Sequence, residues 1–463
     1  MVDPEFKSLT YLSPTGMVGG GFTEEHFINA LDRDLAFIGC DAGSCDGGPS
    51  YLGANEHFGS RAAVKRDLAI LLRAARKLDI PLLIGSCGGS GGNWNVDWMF
   101  DILKEIAAEE ALKPFKTALI YSEPDRDLLV EKFHDGKLAP LNAAPPVSET
   151  ALRDAVRVVG MMGAEGFQAA LGAGADVVLA GRATDASIFA AIPLLRGFDP
   201  GLVWHAAKIM ECGGAAVTKL DRPEGMLCTL HQDRFVLEPV SPVQKCSPTS
   251  IASHALYETG DPFEMREPSG ILTLQNAVYE AVDDRSVVVS GSGFRKAPYS
   301  IRLEGAEIAG YRAVVIGGIR DPILLARFDA FMASAQTDID HGVVASFGED
   351  IAGDYQLTYR AYGRDGVLGQ REPLRDQVGH EIGLFISVVA KTQETANAIA
   401  SLAAHRILHH SVPEWTGLVS NLAFPIAPHV IPTGAAYRFM LNHAVFLDDP
   451  LELFDLQYRM VNA

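Results

Sequence analysis

The sequence predicts an α/β protein with a parallel sheet flanked by helices, a β-rich middle segment and a small α+β domain at the C-terminal end. Three observations carry that prediction. Short apolar runs recur at residues 35–38, 80–84, 117–121 and 176–180, each too brief for a buried helix. Three of these runs open directly into polar loops, two of them rich in glycine. Helical periodicity fills the intervals, and this alternation is what builds parallel sheets. A chain of 463 residues can bury a large core in two or three domains.

Taken in order, residues 10–12 form a short strand candidate leading into the glycine-rich stretch 13–21, which includes Gly20. Thr23 is placed to cap a helix through Leu31, and Glu24 and Glu25 suit its positive end. After the strand at 35–38 comes a loop, residues 40–49, with Asp41, Asp46, Cys40, Cys45 and Ser44 among glycines. From Ser60 onward, Val64, Leu68, Leu71, Leu72 and Ala75 fall on one helical face. The strand at 80–84 opens into residues 85–92, GSCGGSGG, and a helix follows over about 96–111. A helix beginning at Ser148 is expected to continue toward Val159, and a second leads to Gly172. The strand at 176–180 ends in Gly181, Arg182, Ala183, Thr184 and Asp185. Helices from Ala186 and over 203–211 then close a first domain near residue 220.

After Pro223 the texture turns β-rich, at 234–238, 270–274 and 286–290. Residues 313–316 and a helix over 324–335 return to α/β packing, and a strand at 382–390 precedes a helix to His409. These changes divide the chain at 1–220, 221–378 and 379–463. The last part reads as a small unit concerned with assembly, so a homo-oligomer is expected.

A net charge of −19 argues against nucleic acid or an anionic membrane as partner. It does not exclude an anionic small molecule, because local loops set the potential of a pocket. No apolar run reaches about 18 residues, and residues 1–10 lack the layout of a signal peptide. The six cysteines contain no close CxxC pair, which disfavours a disulfide scaffold and suits a cytoplasmic location.

The strand-end loops hold the residues suited to chemistry. Asp41 and Asp46 could serve as a general acid and base, bind a divalent cation, or cap turns. Ser44 lacks a G-x-S-x-G elbow, which disfavours a serine hydrolase. Residues 85–92, with Ser86, Gly88, Gly89 and Ser90, offer backbone N–H groups before a helix. They could cradle a carboxylate or phosphate, or form a tight turn that lets helix and strand approach. No lysine follows as in a P-loop. Cys40, Cys45 and Cys87 either fill core space or, less in keeping with their spacing, ligate an iron–sulfur cluster. Arg182 could fork onto a substrate anion or simply pair with Asp185. Glu211, at a helix end before Cys212, Gly213 and Gly214, is a further acid–base candidate, whereas His231, His254 and His443 stand isolated.

Several of these stretches resemble the acyclic terpene utilisation AtuA family. They are Asp41–Ser44 with the GPSYLG run that contains Tyr51, the ADVVLAGRATD run ending at Asp185, and the ECGG run from Glu211. The resemblance covers roughly residues 8 to 360 and is most specific at the run ending at Asp185. It implies a catabolic setting and substrates of branched-acid or CoA-thioester type, without implying a mechanism. Residues and resemblance together lead to an expected lyase of hydratase or dehydratase type, acting on a small carboxylic acid or its CoA thioester. The alternative is a non-catalytic subunit that binds an acyl ligand. Asp41, Ser44, Asp46, Asp185 and Glu211 are the catalytic candidates. Gly20, Tyr51, Ser86, Gly88, Gly89, Ser90 and Arg182 are the candidates for substrate contact. No cofactor is firmly implied.

Overall fold

Strand residues of alternating direction are apolar on both sides, and the fold buries both. The computed structural model describes residues 8–142, 144–222, 224–411 and 420–462. Residues 1–7, where a leader was looked for, and Pro223 lie outside this description. The first strands are β1 (Ser8–Ser13), β2 (Leu35–Asp41), β3 (Leu82–Gly85), β4 (Phe115–Tyr121), β5 (Leu138–Pro140), β6 (Arg157–Met161) and β7 (Val177–Ala180). Next come β8 (Met226–His231), β9 (Arg234–Pro239), β10 (Glu264–Glu267), β11 (Gly270–Thr273), β12 (Val278–Ala281), β13 (Val287–Ser290) and β14 (Gly293–Lys296). The last are β15 (Ser300–Ile319), β16 (Tyr355–Tyr362), β17 (Ile382–Ala390), β18 (Ile431–Phe446) and β19 (Asp455–Val461).

Ten strands form the main sheet in the order β12-β13-β9-β8-β1-β2-β3-β7-β4-β19. Its centre, β1-β2-β3-β7-β4, is parallel as the sequence implied. The flanks correct that expectation: β8, β9, β13 and β12 extend one side antiparallel, and β19 closes the other side antiparallel to β4. The β-rich segment thus continues the same sheet, with a separate three-stranded sheet of β10, β11 and β14. Leu82, Ile84, Val177 and Leu179 pack with Leu68, Leu71, Met99 and Ile102 on one face. Leu83, Val178 and Ala180 pack with Phe167, Phe189 and Trp204 on the other. Burial on both faces explains why these strands read as continuous apolar runs.

The helix expected to reach Val159 is instead Glu149–Asp154, and residues 157–161 are β6. Val158 and Val159 are β-branched and find an antiparallel partner in Gly305 and Glu304 of β15, far along the chain. The helix expected at 324–335 is a short one, Pro322–Ala326, followed by a long one, Phe328–Phe347.

Two compact units divide the chain, Met1–Glu307 with Phe439–Ala463, and Ile308–Arg438. This differs from the boundaries placed at 220 and 378. The cause is pairing between distant segments: β19 adds an edge to the main sheet, and the end of β18 pairs with β5, so the last residues return to the first unit. In the second unit β16, β17 and the latter half of β15 form an antiparallel sheet. The helices Phe328–Phe347 and Gln393–His409 share one apolar core with it. Among the described residues no helix is long and apolar enough to cross a membrane.

Glycine matters most where two strand-end loops touch. A Cβ on Gly91, at φ +69°, would sit 2.3 Å from the backbone nitrogen of Arg182. Gly136 has nearly the same φ, +67°, with nothing within 4 Å of such a Cβ. Gly91→Ala is therefore expected to cost about 1–3 kcal/mol more than Gly136→Ala, the usual cost of overpacking. Equal melting temperatures for the two variants would contradict this.

Candidate active site

In the parallel centre of the sheet, the carboxyl ends of β1, β2, β3 and β7 lie side by side, and their loops are tied together. Val18 N–H donates to Asp41 O at 2.8 Å, Ala42 N–H to Gly85 O at 2.9 Å and Ser86 N–H to Gly181 O at 3.0 Å. Arg182 N–H donates to Gly91 O at 3.0 Å. These hydrogen bonds hold the strand-end loops together at one edge of the sheet.

Residues 85–92 are not an open cradle. Ser86, Gly88, Gly89 and Ser90 form the inner wall of the edge, with their polar groups spent inside the protein. Gly89 N–H donates to Ser86 O, and Gly88 O accepts from Phe58 N–H at 2.8 Å. Ser90 Oγ donates to Asn95 Oδ1 at 3.3 Å. A Cβ on Gly43 would lie 2.3 Å from Gly89 Cα, so glycine here permits loop-on-loop contact. The turn at Gly20 is held by Asp67, whose Oδ2 accepts from Gly19 and Gly21 N–H at 2.8 and 2.9 Å. The Tyr51 ring packs on Phe58 at 4.4 Å. Ser44 Oγ donates to Asp46 Oδ2 at 2.9 Å and accepts from Asp46 N–H, a turn-stabilising arrangement.

The open space lies beside this wall. A cavity of about 490 Å³ is lined by Arg182, Asp185, Lys208, Glu211, Glu267 and Arg302, among others. A second cavity, of about 320 Å³, is lined by Cys45, Glu304 and neighbours, and Asp46 and Arg302 border both. Arg182 follows β7, Asp185 starts the helix Asp185–Leu195, and Glu211 caps the end of the helix Pro200–Met210, which carries Lys208. Glu267 ends β10, and Arg302 and Glu304 lie on β15.

Arg182 is buried and mostly committed. Its Nε donates to Glu304 Oε2 at 2.9 Å, and its Nη1 reaches Ser86 Oγ and Ala183 O, both at 3.1 Å. Asp185 Oδ1 is more distant, at 3.4 Å. The principal ion pair is thus with Glu304, not with Asp185. Nη2 makes no hydrogen bond among the described residues, and the side chain borders the cavity. Burial acts against the Glu304 carboxylate, but Arg182 and Arg302 outweigh it and hold its pKa below the ordinary value. Cys45 lies against the same carboxylate, and burial pushes its thiol pKa up.

The other carboxyls are displaced in the opposite direction. Burial raises Glu211 to about 8, although Lys208, in direct contact with it, partly offsets the shift. Burial, with Glu211 nearby, likewise raises Glu267 to about 8. The Glu267 carboxyl makes no side-chain hydrogen bond or ion pair among the described residues, and its backbone is paired with Gly270 of β11. Asp185 is raised by burial against the opposing pull of Arg182 and Lys208. Asp41 is raised well above the usual range by burial and by Asp185. Asp41 Oδ1 and Thr184 Oγ1 are buried without a partner among the described residues. Asp41 itself borders neither cavity, so it is separated from the space that Asp46 faces.

Cys40 Sγ donates to Thr15 O at 3.4 Å, and Cys87 is buried. Among the described residues no group of three His, Cys, Asp or Glu side chains is arranged to hold a metal ion. The pattern-based reading missed Lys208, Glu267, Arg302 and Glu304. A signal existed for two of them. Lys208 stands three residues before Glu211 on a helix. Glu267 falls in phase with the buried Met265 of β10, where an acid is unexpected.

The fold and site define a mixed-sheet α/β protein with a carboxyl-rich cavity at the carboxyl edge of its parallel strands. The family model described as acyclic terpene utilisation family protein AtuA matches residues 66–218 and 235–427, and the chain belongs to this family. The match starts later than the resemblance seen in the sequence and extends further, to residue 427. It includes Arg182, Asp185, Glu211, Glu267 and Glu304, and it excludes the 40–49 loop. No curated protein and no solved structure matches the chain.

Proposed function

We propose that this cavity is the active site of a lyase of hydratase or dehydratase type, acting on a small carboxylic acid or its CoA thioester. The observation that supports the reading is a pair of buried carboxyls lining one cavity, Glu211 and Glu267, both displaced to about 8, beside arginines able to take an anion. A general acid and a general base work best when their pKa values lie near the working pH. Glu211 touches Lys208, which favours its ionised form, so Glu211 is the base. Glu267 has no such partner and stays protonated, so it is the acid.

In the dehydration direction the Glu211 carboxylate takes the proton from the carbon next to the carbonyl. The hydroxyl on the following carbon leaves with the proton of Glu267, as water, and a carbon–carbon double bond forms. Hydration is the reverse. Arg182 Nη2 and Arg302, with Arg266 of β10, which also lines the cavity, hold the substrate's carboxylate or the thioester's phosphates. The family's description, acyclic terpene utilisation, is compatible with a branched acid as substrate.

The test is to incubate the purified chain with unsaturated and hydroxy acids and their CoA thioesters, following gain or loss of the conjugated double bond. Glu267→Gln and Glu211→Gln are each expected to lower turnover by about 10²–10⁴, the span for loss of general acid–base catalysis. The rate of the parent chain is expected to follow a bell centred near pH 8, rising as Glu211 loses its proton and falling as Glu267 loses its own. Tight binding of these acids without turnover by the chain alone would favour the acyl-binding subunit instead.

A further inference from the structure

The second unit holds a cleft of about 850 Å³ between the start of the helix Phe328–Phe347 and the loops around Arg364 and Arg375. Arg320, Arg327, Arg364, Arg375 and His380 line it, against the carboxylates Asp329 and Asp376. In a chain of net charge −19, four guanidinium groups are gathered at this cleft. Arg364 Nη2 donates to Asp329 at 2.6 Å and Nη1 to Asp365 at 3.1 Å. Arg375 Nη2 shares both acids, at 3.2 Å each, while its Nε is buried without a partner among the described residues. Arg320 places Nη1 on the carbonyl of His380 at 3.0 Å, leaving its other N–H groups without partners among the described residues.

We propose that this cleft binds a small phosphorylated molecule, with the phosphate between Arg320 and Arg375. Guanidinium forks match phosphate oxygens in pairs. The first turn of the long helix, Phe328 to Ala330, borders the cleft, and the positive end of a helix favours an anion. Leu325, Phe328 and Val378 provide an apolar wall for the rest of the ligand. The volume falls within the usual span of small-molecule sites, about 300–1,000 Å³.

Calorimetric titration of the full chain with inorganic pyrophosphate tests this, with sulfate and citrate at matched ionic strength. Saturable pyrophosphate binding is expected, weakened on the order of tenfold or more in Arg320→Gln and Arg375→Gln, the usual scale for a charged hydrogen bond. Asp329→Asn, which frees Arg364 and Arg375, is expected to strengthen binding several-fold. Arg320 is exposed, so Arg320→Gln keeps the test valid if the other variants fail to fold. The proposal is overturned by absence of saturable binding, by unchanged affinity in Arg320→Gln, or by equal or tighter binding of citrate or sulfate. The last result would mark an adventitious ion only.

Discussion

Replacing Glu304 with Gln is expected to destabilise the chain by about 3–5 kcal/mol, the cost of breaking a buried ion pair from one side. Glu304 and Arg182 are both about 95% buried and meet at 2.9 Å. Without the carboxylate, Arg182 keeps only the longer contact to Asp185 as a charge partner, and its burial is no longer compensated. Arg182→Met leaves Glu304 in the same position and is expected to cost a similar amount. The double variant should cost clearly less than the sum, because both desolvated charges are gone. Urea unfolding of the four chains measures this. Single variants as stable as the parent would show that the pair does not anchor β7 to β15. The pH dependence of this pair has a defined sign. Glu304 is held below its ordinary pKa, so its contribution is present above the unfolded value and is lost as pH falls through the folded one.

Glu267→Gln is expected to stabilise the chain at alkaline pH and to leave it nearly unchanged near pH 4. In the folded protein Glu267 holds its proton to about 8, whereas an unfolded chain releases it near the reference value of about 4.3. Between those values the folded state binds more protons, so stability falls as pH rises. The contribution is complete below the unfolded value and lost above about 8. The slope is at most about 1.4 kcal/mol per pH unit for one group, so the loss accumulates to several kcal/mol. Glutamine mimics the protonated carboxyl and carries no such penalty. Melting temperatures from pH 4 to 9 should therefore diverge, with the variant higher at the alkaline end. Parallel curves would show that Glu267 titrates normally and would remove the acid from the proposed reaction.

The parallel centre of the sheet was legible in the sequence because burial on both faces leaves continuous apolar runs, each followed by a loop and a helix. The same logic found Arg182, Asp185 and Glu211, since strand ends and helix ends are marked locally. The glycines at 85–92 were equally visible, but sequence could not separate an anion cradle from loop-on-loop packing. Only the approach of Asn95, Phe58 and Gly43 decided for packing. Val158 and Val159 became a strand because β15 supplies a partner more than a hundred residues away. Arg182 pairs with Glu304, and Glu267 comes to share a cavity with Glu211, through long-range pairings of the same kind. Such meetings depend on strand order and register, which local propensity does not encode. The sequence by itself therefore determined the parallel centre of the sheet and pointed to one edge as the candidate site. The tertiary structure decided which carboxyls are buried there, and burial is what shifts their protons.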